Sequence, residues 1–328
     1  MSKTRFLITG GAGFIGSNLA AALVAAGERV RVLDNLSTGR RALLERIVPP
    51  SGEVELIEGD IRDPVALARA MEGVEVVFHQ AADGSVTRSV EVPLATDSNN
   101  THGTVSVLEH ARHAGVRRVL FAASSAAYGD DPALPKDESM EPRPLSPYAV
   151  SKLAGEMYLK VFSDLYGLET LSLRYFNVFG PGQLPDGPYA AAIPRFAFAA
   201  LSRQPATVYG DGEQTRDFCY IANVVQANLA AASSPRTLRG EVLNVAGGRA
   251  VSLNRVLVVL GDLLGHPVEA RHEAPRPGDI RHSCARIDRA REFLGYDPAV
   301  PWEQGLPPTL EFLREVIAAP ERYARLPC

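Results

Sequence analysis

Tyr148-Ala-Val-Ser-Lys152 sets a phenol and an amine four residues apart, just after Pro147. If the segment is helical, both lie on one face, one turn apart. An ammonium beside a phenol stabilises the phenolate and draws its pKa down from about 10 toward working pH. That makes a general base or acid. The spacing is also common on plain helix surfaces, and it gains weight from a second pattern upstream. Gly10-Gly11-Ala12-Gly13-Phe14-Ile15-Gly16 follows a short apolar run and opens a helical one. In that context Gly10 permits the tight turn, Gly13 lets backbone approach a pyrophosphate, and Gly16 lets the helix pack close to the sheet. The helix N-terminus then offers N–H groups and partial positive charge to phosphates. Asp34 closes the next apolar run. A carboxylate there accepts both ribose hydroxyls of an adenosine and repels a 2′-phosphate, which favours NAD over NADP. Arg40 and Arg41, just beyond, read as a solvated helix start. Asp60-Ile61 is placed to meet the adenine, although Asp60 also suits a turn or cap. Ser124 ends another apolar run, where its hydroxyl can bridge tyrosine and substrate or simply form a turn.

The elements that must carry these groups alternate. Short apolar runs at Arg5–Thr9, Val30–Leu33, Val54–Ile57, Val74–His79, Arg118–Ala122 and Thr170–Phe176 read as strands. Between them lie helical patterns at Phe14–Ala26, from about Pro64, at Pro93–Ala114 and at Pro147–Tyr166. Such alternation implies an α/β fold with a doubly wound, mostly parallel sheet covered on both faces. After Phe176, turn-rich stretches and helical patterns at Ile193–Ser202, Asn223–Ala232, Leu253–Leu264 and Trp302–Ile317 suggest a smaller α/β lobe. The division expected is a dinucleotide-binding domain over 1–175, with later strands from about 216–247 interleaved, and a second lobe over 176–328. The 328 residues, 46% apolar and 22% charged, are ample for a large core and argue against disorder. A net charge of -4 gives no field to attract nucleic acid or an anionic membrane. No apolar stretch near the N-terminus approaches a membrane span, and the first residues lack a signal-peptide pattern. Cys219, Cys284 and Cys328 are too few and too scattered for a disulfide framework or a metal site, and they suit a reducing cytoplasm. No histidine has metal-ligand spacing.

Taken together the motifs resemble an extended short-chain dehydrogenase/reductase of the nucleotide-sugar 4-epimerase family. The resemblance rests on Thr9–Gly16, His79-Gln-Ala-Ala82, Ser124-Ser-Ala-Ala-Tyr-Gly129, Tyr148-x-x-x-Lys152, Arg174-Tyr-Phe-Asn177, Arg216-Asp-Phe-Cys-Tyr-Ile221 and Arg276-Pro-Gly-Asp279, in family order over nearly the whole chain. It implies an isomerase in which NAD stays bound and Tyr148, Lys152 and Ser124 serve C4 oxidation and reduction of a UDP-sugar. The implied cofactor set adds Asn35, Ala81, Ala82, Asn100 and Tyr175, with Phe176 also flanking the nicotinamide. Asn177, Arg216 and Arg276 match the family's diphosphate ligands, for which planar arginine donors are well suited. Val208-Tyr209 matches the segment beside the uracil.

Within the family, a small residue at Ser283 leaves room for a 2-acetamido group that a bulky one would crowd. Gly84, Ser85, Ser125, Asn177, Gln183 and Ala191 make the rest of the implied wall small or polar. Gly84-Ser85, Gln183 and Tyr189–Pro194 resemble a bacterial subgroup preferring UDP-N-acetylglucosamine. The expectation is UDP-GlcNAc/UDP-GalNAc interconversion with UDP-glucose/UDP-galactose also accepted. A UDP-glucose or UDP-glucuronate 4-epimerase and a noncatalytic NAD-binding sensor are the alternatives. A dehydratase is disfavoured, because Ser125-Ala126 stands where elimination chemistry needs an Asp-Glu pair. Arg88 and Arg195 have no assigned role. Asp83 and Ala126-Ala127 depart from the family pattern. The helical segments at Pro93–Ala114 and Pro147–Tyr166 resemble the family's dimer-forming pair and imply a homodimer.

Overall fold

The computed structural model describes residues 5–48, 54–185, 191–275 and 280–324. Its centre is a seven-stranded sheet of β1 (Phe6–Thr9), β2 (Val30–Asp34), β3 (Val54–Glu58), β4 (Val76–His79), β5 (Arg118–Ser124), β6 (Glu169–Tyr175) and β7 (Arg239–Val245). The order is β7-β6-β5-β4-β1-β2-β3, and every pairing is parallel, beyond the mostly parallel sheet expected. Side chains of β1 and β4 are buried throughout, as the unbroken apolar runs require when helices cover both faces. Helices α1 (Phe14–Ala25), α2 (Pro64–Met71), α3 (Gly103–His113), α4 (Pro147–Tyr166) and α5 (Ile221–Ser233) supply that cover. One face is sealed by Leu19, Ala20 and Leu23 of α1 with Val224, Ala227 and Ala231 of α5. The other is sealed by Leu67 and Met71, Val107 and Leu108, and Leu159 and Phe162. Each large side chain so buried contributes roughly 1.5–3 kcal/mol.

Helix α4 starts where Ser146 accepts a hydrogen bond from the Ala149 N–H (3.2 Å), with Pro147 in the first turn, and stops at Gly167 in the left-handed region. Gly155 lies on its buried face. A Cβ there would stand 2.5 Å from the Phe121 ring, so glycine lets this helix approach the sheet closely. The helical segment expected from Pro93 to Ala114 is present as one continuous run, Pro93–Asp97 passing through a π-turn at Ser98–His102 into α3. Such a widened turn is frequent at functional sites.

Beyond β6 the chain builds a second core from Phe196, Phe218, Leu260, Trp302, Leu306 and Phe312. It rests on helices Ala192–Leu201, Leu253–Leu264 and Trp302–Ala318 and on three short ladders not expected from sequence. Ala206–Tyr209 pairs in parallel with Ala270–Glu273, Thr215–Asp217 antiparallel with Ala250–Ser252, and Val178–Phe179 in parallel with Cys219–Tyr220. From within this part of the chain α5 and β7 return to the main sheet. Among the described residues no helix is long and apolar enough to cross a membrane.

Candidate active site

A cleft of about 1760 Å³ opens along the carboxyl ends of the strands and runs into the second core. Strand order reverses between β1 and β4, and there the chain leaving each strand diverges and leaves a crevice. Gly10, Gly13, Phe14, Ile15, Gly16, Asp34, Asn35, Ile61, Ala81 and Ala82 line this part. The glycine turn is closely packed. Gly10 has φ 69°, and a Cβ on it would meet Ala81 backbone at 2.7 Å. A Cβ on Gly16 would fall 2.3 Å from the Gly10 carbonyl. Gly13 caps α1 and borders the cleft, with only the Gly10 carbonyl near its absent Cβ, so a side chain there would intrude on the space a pyrophosphate needs.

Asp34 is buried, and its two oxygens accept from Ala12 N–H (2.9 Å) and Leu36 N–H (2.8 Å). Burial pushes its carboxyl pKa up, while the two amides and Arg40 act the other way. Arg40 itself corrects an expectation. It is not solvated: its guanidinium is buried and donates to the carbonyls of Thr38, Gly39 and Tyr323. Arg41 is exposed and pairs with Glu58. Asp60 does not reach the cleft wall. Its carboxylate takes three hydrogen bonds from Arg62 and one from Asn35, and the Arg62 hydrogen bonds hold its pKa well below the usual range. Of the pair, Ile61 lines the cleft and Asp60 braces it.

Ser124, Tyr148 and Lys152 converge at the end of β5. Tyr148 is hydrogen-bonded to Ser124, and the Lys152 ammonium donates to the Ala122 carbonyl (2.8 Å) above the Phe121 ring. The expected lowering of the phenol pKa is absent from the chain alone. Burial raises it, the Ser124 hydrogen bond opposes, and the Asp83 charge raises it further. Lys152 is almost fully buried, and desolvation drops its own pKa to about 7, with Glu156 opposing. Near neutral pH Lys152 therefore carries its charge only part of the time. Beneath it, His79 is buried, bonded to Thr9 Oγ1 (2.7 Å) and Thr104 Oγ1 (2.9 Å). Burial, then the Lys152 charge, lowers its pKa to about 3, so it is neutral. Asn100 sits behind the cleft wall in the π-turn. It accepts from Asp83 N–H (2.7 Å) and donates to Asp83 C=O (3.0 Å) and Ser151 Oγ (3.0 Å). It thus ties the loop after β4 to the helix that carries Tyr148 and Lys152.

Tyr175 lines the cleft, and its hydroxyl bonds Asn228 and Gln80; burial pushes its pKa to about 12. Phe176, expected beside it, is fully buried and packs on Tyr128. Gly84, Ser85, Ser125, Asn177, Gln183, Ala191, Tyr209, Arg216 and Ser283 all border the same cleft. Asn177 has φ 30°, an uncommon conformation for a side-chain-bearing residue, and such strain clusters at functional sites. Val208 corrects another expectation. Alternation along Ala206–Tyr209 sends it into the second core and turns Thr207 and Tyr209 toward the cleft. Arg276 and Tyr189 lie outside the described residues. Sequence reading missed Thr207, Leu253 and Ile280, which only the folded lobe brings to the wall, and Gln80, flagged within His79–Ala82 but given no role. Arg88 and Arg195, previously unassigned, both face the cleft, the latter over the Tyr209 ring (5.6 Å). Buried side-chain oxygens of Gln80 and Gln183 have no hydrogen-bond partner among the described residues.

A glycine turn at the switch point, a carboxylate at the end of β2 and a Ser–Tyr–Lys cluster at the end of β5 define a dinucleotide-dependent enzyme of the short-chain dehydrogenase/reductase type. Residues 6–246 match the NAD dependent epimerase/dehydratase family. The chain is 39% identical over 312 residues to a UDP-glucose 4-epimerase of Mycolicibacterium smegmatis, covering 94% of this chain and 98% of that one. A UDP-N-acetylglucosamine 4-epimerase from Methanobrevibacter ruminantium M1, solved with UDP-N-acetylmuramic acid, superposes with a TM-score of 0.90 at 37% identity, covering 96% and 99% of the two chains. A UDP-glucuronic acid 4-epimerase from Bacillus cereus, solved with UDP-glucuronic acid and NAD, gives 0.87 at 30% identity, covering 95% and 99%. The chain belongs to this family, and within it to the nucleotide-sugar 4-epimerases; it is an NAD-dependent enzyme.

Proposed function

We propose that this enzyme interconverts the C4 epimers of a UDP-hexose, with UDP-GlcNAc/UDP-GalNAc as the preferred pair and UDP-glucose/UDP-galactose also accepted. The observation that supports the sugar choice is that Ser283, Gly84 and Ser85, all small, border the same cleft, where a bulky residue would crowd an acetamido group. NAD fits the residues present: Gly10, Gly13 and the first turn of α1 would hold its pyrophosphate, Asp34 the adenosine ribose and Lys152 the nicotinamide ribose. When bound, NAD supplies a hydride acceptor and donor. Tyr148 would take the proton from the sugar 4-hydroxyl onto its phenolate oxygen, and Ser124 would hold that hydroxyl in line. Burial disfavours the phenolate in the chain alone, so a cation beside it has to restore it. Asn177, Arg216 and Arg276 would grip the diphosphate, and Tyr209 would flank the uracil, while the sugar turns to present its other face. In this reading residues 1–175 with 216–247 hold NAD and the remainder of 176–328 holds the UDP-sugar. A homodimer in the cytoplasm completes it, supported by the apolar faces of the helices near Pro93 and Pro147 and by scattered free cysteines.

Proton NMR of the purified protein tests this with UDP-GlcNAc and UDP-glucose in separate tubes and no NAD added. The galacto product forming faster from UDP-GlcNAc is expected. Conversion of UDP-glucose alone would keep the mechanism and overturn the argument from Ser283. Conversion of neither, even with NAD supplied, would overturn both.

A further inference from the structure

Asp83 leaves the β4 end beside Ala82 and faces the same cleft as Gly84, Ser85 and Tyr148. Its carboxylate is held in place: one oxygen accepts from Ser85 N–H (3.3 Å), the other pairs with Arg88 (3.0 Å), and its backbone is clamped at both N–H and C=O by Asn100. The pair is asymmetric. The Asp83 side chain is 17% exposed and that of Arg88 58%, so the negative member is on the inside and the positive member at the rim. The charge that acts on the Tyr148 phenol from this loop is that of Asp83. A group bound against Tyr148 therefore meets a fixed carboxylate first, in surroundings less polar than water.

We propose that Asp83 is a charge filter of the sugar pocket, which admits neutral hexoses and rejects sugars that carry a carboxylate, while Arg88 limits the strength of that rejection. The inference rests on the UDP-hexose reading above and deepens it. Like charges brought together in a partly desolvated site repel strongly, and the only relief is an opposing cation. Removing Asp83's charge leaves Arg88 uncompensated, which turns the pocket toward anions. Removing Arg88's charge leaves Asp83 uncompensated, which sharpens the filter. The two substitutions thus act with opposite sign, and a loss of folding cannot mimic that.

The test is equilibrium binding by calorimetry of UDP-glucuronate and UDP-glucose to holoenzyme, as wild type, Asp83→Asn and Arg88→Gln, alongside NMR turnover of both sugars. The ratio of the two dissociation constants is the readout. Asp83→Asn should shift it toward UDP-glucuronate by about tenfold or more, and Arg88→Gln should shift it the other way. Added salt should weaken both shifts. A ratio unchanged in both variants, or moved in one direction by both, overturns the filter even if UDP-glucose is turned over normally. Opposite shifts without turnover of any sugar would support the filter and overturn the epimerase reading. A wild-type protein that binds neither UDP-sugar overturns both.

Discussion

At the scale of the residue, the reacting centre is a base whose environment resists ionisation. Tyr148 is buried against Ser124 and faces the Asp83 charge, and both burial and that charge favour the neutral phenol. In the proposed reaction its proton would pass to and from the sugar in each half-turnover, and removing the hydroxyl removes the group that carries it. Tyr148→Phe should therefore cut kcat by about 10²–10⁴ with the fold intact by circular dichroism, since general acid–base catalysis supplies that much. A variant that kept full turnover would sink the assignment. Lys152 yields a second expectation. In the folded chain it loses its proton near pH 7, whereas in the unfolded chain it keeps it to about 10.5. Between those values the unfolded state binds more protons, so this group makes stability rise with pH. Below them both states are charged, and the full cost of burying the ammonium is present. Urea midpoints of cofactor-stripped protein should climb between pH 7 and 10, and Lys152→Met should flatten the climb. Equal slopes in the two proteins would contradict the burial argument.

At the scale of the element, much of the site follows from strand ends, and that is why so much of it was legible. Gly10, Asp34, Ser124 and Tyr175 each sit where an apolar run stops, and a parallel sheet gathers those stops on one edge. Helix α4 was readable from Pro147 at its start and from its helical pattern to Tyr166, and the structure adds Ser146 and Gly167 as its caps. The second lobe was less so. Its ladders are two to four residues long, too short for alternation to register, and Val208 was misplaced because neighbouring residues of a short strand point opposite ways. Nor does sequence show which buried carboxylate holds such a lobe together. Asp217 does so: its oxygens accept from Gly247 N–H (2.8 Å), Gly248 N–H (3.1 Å) and Ala285 N–H (3.0 Å), and burial raises its pKa to about 6. These bonds join the strand bearing Arg216 to the end of β7 and to the segment bearing Ser283. Asp217→Ala strands the buried Ala285 N–H at about 1–3 kcal/mol and frees two part-buried N–H groups that water can reach, so a loss of about 1–3 kcal/mol is expected in chemical denaturation. Asp217→Asn, which keeps one acceptor oxygen, should lose less. Equal stability of Asp217→Ala and wild type would show that the three segments are held by other means.

At the scale of the whole molecule, the cleft is closed on one side by the sheet's carboxyl edge and on the other by the second core, and α5 and β7 stitch the two together. The opposite flank is different in character. Val150, Met157, Val161 and Leu165 recur along α4 at spacings of four and seven, on the side turned away from the sheet, and all are well exposed. Leu94, on the short helix that follows Val86–Glu91, is 85% exposed as well. A stripe of this length on a helix that also carries Tyr148 and Lys152 is costly to leave in water. A second copy of the chain offers the same stripe, so a two-fold pairing would bury both at once. Stable pairs bury about 1,200–2,000 Å² in total, within reach of two helices from each copy. The expected outcome of light scattering at micromolar concentration is a dimer. Val161→Glu combined with Leu165→Arg should give a monomer that still folds, because neither side chain contributes to the core. A pairing through α4 would brace the helix that carries Tyr148, so the monomer should also turn over more slowly at unchanged cofactor content. A wild-type monomer, or a double variant that remains dimeric, would show that this surface is covered in some other way.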